Sequence, residues 1–97
     1  MIPSDVENFI ARKFEPSDQN EALALLRAAT IHDGSAPGPR LLRCAVVASG
    51  GSIERLRMEV ETLKHDYRDV IDEGEYIPRR RELMKVRNLN EPIPDEA

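Results

Sequence analysis

The 97-residue chain reads as all-α, a small bundle of four helices over approximately residues 4–14, 18–31, 39–49 and 52–73, followed by a weakly ordered basic and acidic C-terminal segment. Three observations predict this class. Apolar residues recur at spacings of three and four, strand-like alternation is missing, and Pro or Gly/Pro breaks fall between the periodic stretches. The helices make one domain over residues 1–76, and residues 77–97 form a separate tail.

The first helix is expected to open on Ser4-Asp5-Val6-Glu7, a capping box in which the Ser4 hydroxyl and the Glu7 carboxylate satisfy each other's backbone N–H. Val6, Phe9, Ile10 and Phe14 then line one face, and Pro16 stops the helix because it disfavours helical backbone at Glu15. Asp18 and Glu21 repeat the capping spacing, with Ser17 as an alternative cap. Behind them Ala22, Leu23, Leu25, Leu26, Ala29 and Ile31 give a broad apolar face on which alanines permit close helix approach. The stretch from His32 to Pro39 holds two glycines and two prolines and breaks the pattern. Pro39 suits the first position of the third helix. That helix is apolar on most sides, which marks it as the central element, and Gly50-Gly51 closes it before Ser52 caps the next.

In the fourth helix Ile53, Leu56, Val60, Leu63, Tyr67 and Val70 alternate spacings of three and four, a heptad stripe that runs until Gly74, a plausible C-cap residue. The stripe is longer than the preceding helices, so part of it is expected to project and to be covered by a partner. Beyond it, Arg79-Arg80-Arg81 with Lys85 and Arg87 reads as a short basic helix, and the Pro-containing acidic end as a mobile tail.

Composition narrows the function classes. A single cysteine forbids an internal disulfide and points to a reducing compartment. No basic region followed by an apolar stretch opens the chain, and no apolar run approaches the roughly 20 residues a bilayer requires. The expectation is a cytoplasmic protein without a membrane role. The net charge is −4, and all of it resides in residues 53–75, which hold eight acids against four bases. That disfavours nucleic-acid binding through a Gly50-Gly51 helix-turn-helix, because the second helix would be repelled by phosphates.

Several constellations are candidates for chemistry. His32-Asp33 and His65-Asp66, with Asp69 one turn on, offer imidazole and carboxylate donors of the kind that hold divalent metals in hydrolases. Adjacent residues on a helix diverge by about 100°, so a wet helix face is the simpler reading of His65 and Asp66. The Gly34–Pro39 loop ahead of a helix start, with Arg40 in the first turn, resembles an anion cradle but lacks the lysine and hydroxyl of a phosphate loop. Cys44, in the most apolar helix, reads as a small hydrophobe rather than a nucleophile. Arg68 is flanked by Asp69 and Asp72, which are expected to pair with it.

No catalytic constellation is complete, so the chain is expected not to be an enzyme and to carry no cofactor or resident metal. The leading expectation is a protein-interaction or structural module that pairs with itself, as a homodimer, through Ile53, Leu56, Val60, Leu63, Tyr67 and Val70. The alternative is polyanion or nucleic-acid contact through Arg79, Arg80, Arg81, Lys85 and Arg87. A metal-dependent hydrolase built on His32, Asp33, His65 and Asp66 is the lesser alternative.

Overall fold

Pro3, rather than Ser4, stands ahead of the first helix. Its carbonyl accepts from the N–H groups of Val6 (3.0 Å) and Glu7 (3.2 Å), and Ser4 lies inside the first turn with no side-chain cap, so the expected capping box does not form. This computed structural model describes residues 2–79 and 82–94, for 77–79 and 82–84 the backbone alone. Helix α1 spans Ser4–Lys13 and ends as Phe14 turns extended ahead of Pro16. A single 3-10 turn, Pro16–Asp18, leads into α2, Gln19–Ala28. Asp18 has helical backbone angles and makes no side-chain cap bond, so the second capping box is also absent. Instead the Gln19 amide reaches back to the carbonyl of Phe14 at 3.2 Å. Helix α2 stops three residues before the expected Ile31, because Ala29 is extended, though its methyl remains in the core.

Helix α3 spans Pro39–Ser49 as predicted, with Pro39 at its first position and Gly50 closing it in the left-handed region at φ 61°. Its residues Leu42, Cys44, Ala45 and Val46 are buried. Ser52 caps α4, Ile53–His65, by accepting from the Arg55 N–H.

The single helix expected over 52–73 is two. Asp66 adopts extended angles (φ −155°, ψ 97°), ending α4, and its carboxylate accepts from the Arg68 N–H to start α5, Tyr67–Glu75. Aspartate favours this role because its short side chain competes with the helix for backbone partners. The break turns α5 onto α3. Gly74 therefore lies within α5 instead of capping it, and a Cβ placed there would stand 2.7 Å from the Cys44 Cα. The heptad stripe does not project. Ile53, Leu56, Leu63 and Val70 are buried within the chain's own core, Val60 is 9% exposed, and Tyr67 is partly buried with its ring stacked on His32 at 6.1 Å.

The C-terminal segment also differs from expectation. Where a basic helix was predicted, strands β1 (Tyr76–Arg79) and β2 (Glu82–Lys85) pair antiparallel, with Tyr76 opposite Lys85 and Pro78 opposite Leu83. The residues after β2 are packed down, since Leu89 is fully buried and Ile93 is 7% exposed in the core. The described part is mostly helical, with one hairpin and a docked C-terminal stretch. None of its helices is long and apolar enough to cross a membrane.

Candidate functional site

The densest arrangement of polar groups lies where α5 passes into the hairpin. Glu75, the last residue of α5, is fully buried, and four groups meet its carboxylate. Arg40, from the first turn of α3, donates through Nε and Nη2, both at 2.9 Å. Lys85 of β2 approaches at 3.3 Å, the Leu89 N–H donates at 3.1 Å, and the Cys44 thiol lies 3.7 Å away. A bidentate guanidinium is the strongest partner a carboxylate can have. It holds the Glu75 carboxyl down to about 2, against burial, with help from the Leu89 N–H and Lys85. Burial and the nearby Glu75 charge push the Cys44 thiol up to about 12.

A second fork fixes the C-terminal stretch. Arg43 donates to the Asp5 carboxylate at 2.9 and 3.3 Å, and its Nη1 also lies within reach of the carbonyls of Leu89 and Asn90. The Ile93 N–H donates to the same carboxylate at 3.1 Å. Burial opposes ionisation of Asp5, yet the Arg43 fork and the Ile93 N–H outweigh it and hold the carboxyl below the ordinary range. These contacts join α1, α3 and residues 89–93, and with the Glu75 cluster they make a rigid base for the hairpin.

The hairpin's two edges are unequal. The Val86 N–H donates to the Glu75 carbonyl at 2.8 Å, which sets the phase of the ladder. Antiparallel pairs alternate between bonded and non-bonded. It follows that the backbone N–H and C=O groups of Ile77 and Met84, and of Arg79 and Glu82, face each other across the ladder, while those of Tyr76, Pro78, Leu83 and Lys85 face outward. On β1 the outward edge offers no donor: the Tyr76 N–H is used by the Asp72 carbonyl and Pro78 has none. On β2 the N–H and C=O of Leu83 and Lys85 point away from β1. Val86, just beyond, is 41% exposed, one of two large apolar side chains so exposed among the described residues.

Of the basic cluster, Arg79 lies in β1, whereas Arg80 and Arg81 fall outside the described residues. Lys85 is engaged by Glu75, and Arg87 donates to the Gly74 carbonyl at 2.8 Å. Arg40, expected to assist an anion at the α3 start, is instead committed to Glu75. The two His-Asp pairs come partly together: His32, His65, Asp66, Tyr67 and Arg68 line an open depression of about 330 Å³. Asp33 turns away and accepts from the N–H and hydroxyl of Ser35. His65 faces Glu61 at 3.2 Å. The Asp66 carboxylate takes the Arg68 guanidinium, which thus pairs neither with Asp69 nor with Asp72. Among the described residues no three His, Cys, Asp or Glu side chains converge as metal ligands would.

The periodicity argument missed Glu75, Asp5 and Arg43. The available signal was a charged residue at an apolar-face position, which only a long-range partner can explain. Against models of known protein families, curated proteins and solved structures, the chain finds no match.

Proposed function

We propose that this protein is a protein-interaction module whose contact element is the outer edge of β2, and that its partner contributes an acidic extended segment. The observation that carries this reading is the inequality of the two edges. Natural edge strands are blunted against unwanted pairing, often by proline. Pro78 and the Asp72 carbonyl blunt β1, while β2 keeps a donor and acceptor pattern that suits strand addition. Residues 79–87 hold five bases and one acid, and exposed Val86 adds an apolar contact beside the edge. The charge selects an acidic strand, and it opposes edge-to-edge pairing of two copies, since like charges would then face each other. The heptad stripe supports self-association less well than its spacing implied, because its residues are already used by the core.

A synthetic peptide alternating Glu and Val is the probe, with binding read by fluorescence anisotropy. Binding is expected to weaken with salt and to be lost in Leu83→Pro, which removes one outward N–H and leaves the inward pairs intact. Replacing Arg79, Arg80 and Arg81 together by alanine should weaken it. Absence of peptide binding, or binding indifferent to Leu83→Pro, overturns the proposal. Duplex DNA binding that survives Leu83→Pro and is lost in the triple variant would transfer the function to a polyanion.

A further inference from the structure

Residues 88–94 form neither helix nor strand, yet charged side chains from three helices hold their main chain. Glu75 of α5 accepts from the Leu89 N–H at 3.1 Å, and Asp5 of α1 accepts from the Ile93 N–H at 3.1 Å. Arg43 of α3 donates to the carbonyls of Leu89 and Asn90 at 3.4 and 3.3 Å. Leu89 and Ile93 enter the core, while Asn88, Asn90, Glu91 and Pro92 stay exposed. A segment held through its backbone and two apolar anchors has the form of a peptide seated in a groove.

The groove does not depend on its occupant. Arg43 keeps Asp5 and Arg40 keeps Glu75 without any contribution from the segment. The chain ahead of it is anchored at Arg87, whose guanidinium donates to the Gly74 carbonyl at 2.8 Å. Beyond Arg87, burial of Leu89 and Ile93 is set against the backbone freedom lost by residues 88–94, and the two terms are of similar size. Such a segment opens before the rest of the molecule unfolds.

We propose that the groove between α1, α3 and α5 is a peptide-binding site that two copies of the chain fill reciprocally, each seating its Leu89–Pro94 segment in the other. The occupant follows from complementarity. A second copy's segment is identical, so it satisfies Glu75, Arg43 and Asp5 and fills both anchor positions as the chain's own segment does. Within one chain the short link at Arg87–Asn88 gives the segment a high local concentration. Single chains therefore dominate in dilute solution, and exchanged pairs form at millimolar concentration. The outward edge of β2 takes no part, so this pairing holds or fails independently of strand addition there.

The probe is a fluorescently labelled synthetic peptide of residues 87–94, titrated into the full chain, alongside light scattering of the wild type. In full-length Leu89→Ser, Ile93→Ser the resident segment loses its anchors. The peptide should bind this variant at least about tenfold more tightly than the wild type, whose own segment competes. A peptide with serine at both anchor positions should not bind. The wild type should be monomeric when dilute and dimeric at about 1 mM. If the double variant does not fold, hydrogen exchange of the wild type gives the reading: the Leu89 and Ile93 amides should exchange at least about tenfold faster than those of α3. Exchange of these amides only with global unfolding, or equal peptide affinity for wild type and double variant, overturns the site. A strict monomer at about 1 mM overturns the reciprocal pairing even where the peptide binds, and assigns the groove to a different partner carrying that motif.

Discussion

Replacing Glu75 by Gln removes one negative charge and leaves the shape of the side chain. The carboxylate is fully buried, accepts from both nitrogens of the Arg40 fork and from the Leu89 N–H, and lies 3.3 Å from Lys85. Its carboxyl is held at about 2 against an ordinary 4.5. At 1.36 kcal/mol per unit, that difference corresponds to about 3 kcal/mol of stability at neutral pH. Because the folded value is depressed, this stability is fully present above about pH 4.5 and is lost as the pH falls through about 2. Glutamine can accept through one oxygen only, and its NH2 group would face the donors of Arg40. Arg40 and Lys85 are 35% and 43% exposed, so water relieves part of their lost pairing, and the loss stays at the lower end of that for a broken buried pair.

The assay is urea denaturation of both proteins from neutral to strongly acid pH, followed by circular dichroism. Glu75→Gln should be less stable by about 2–3 kcal/mol near pH 7, and the gap should close as the pH approaches 2. A loss below about 1 kcal/mol at neutral pH, or a gap that persists undiminished in acid, would refute the assignment of Glu75 as the charge that fixes the hairpin base.

Three further outcomes follow from the same geometry. Gly74→Ala drives a methyl to within 2.7 Å of the Cys44 Cα and should destabilise by about 1–3 kcal/mol, read as a lowered Tm; an unchanged Tm would mean α3 and α5 are not so closely apposed. Cys44, its thiol pushed up to about 12, should resist a disulfide reagent at neutral pH until the chain unfolds, so rapid labelling of the native protein would contradict its burial beside Glu75. Asp66→Ala removes the α5 cap and should cost about 1 kcal/mol in chemical denaturation, and a stabilising result would show the continuous helix to be the better structure.

Helix α3 was legible to the residue, because Pro39 and Gly50 act through their own backbone chemistry and need no tertiary context. The core was legible too: Leu56, Leu63 and Val70 are buried as the heptad spacing required. The spacing was silent about what would cover them. A stripe with the same period fits an intermolecular seam or an intramolecular core, and the backbone angle at Asp66 decides between the two. Capping signals were the weakest guide. Ser4 and Asp18 had the right spacing to Glu7 and Glu21, but Pro3 and the 3-10 turn ahead of α2 set backbone angles that leave no cap geometry. The hairpin escaped notice because Arg79 to Arg87 lacks β-branched residues apart from Val86, and its base depends on Arg40, some 35 residues away from Glu75.

Two glutamates, Glu75 at the end of α5 and Glu59 in α4, respond to protons in opposite senses. Glu75 must be ionised to hold Arg40 and Lys85, so acid weakens the fold through it. Glu59 is buried and, chiefly by that burial, its carboxyl is raised to about 8, so a rising pH weakens the fold through it. As far as these two groups decide it, stability is therefore greatest near the ordinary glutamate value, where the first is already ionised and the second still protonated. At neutral pH the Glu75 cluster is fully formed, so the hairpin base stays fixed by Arg40 and a binding edge on β2 would keep its shape.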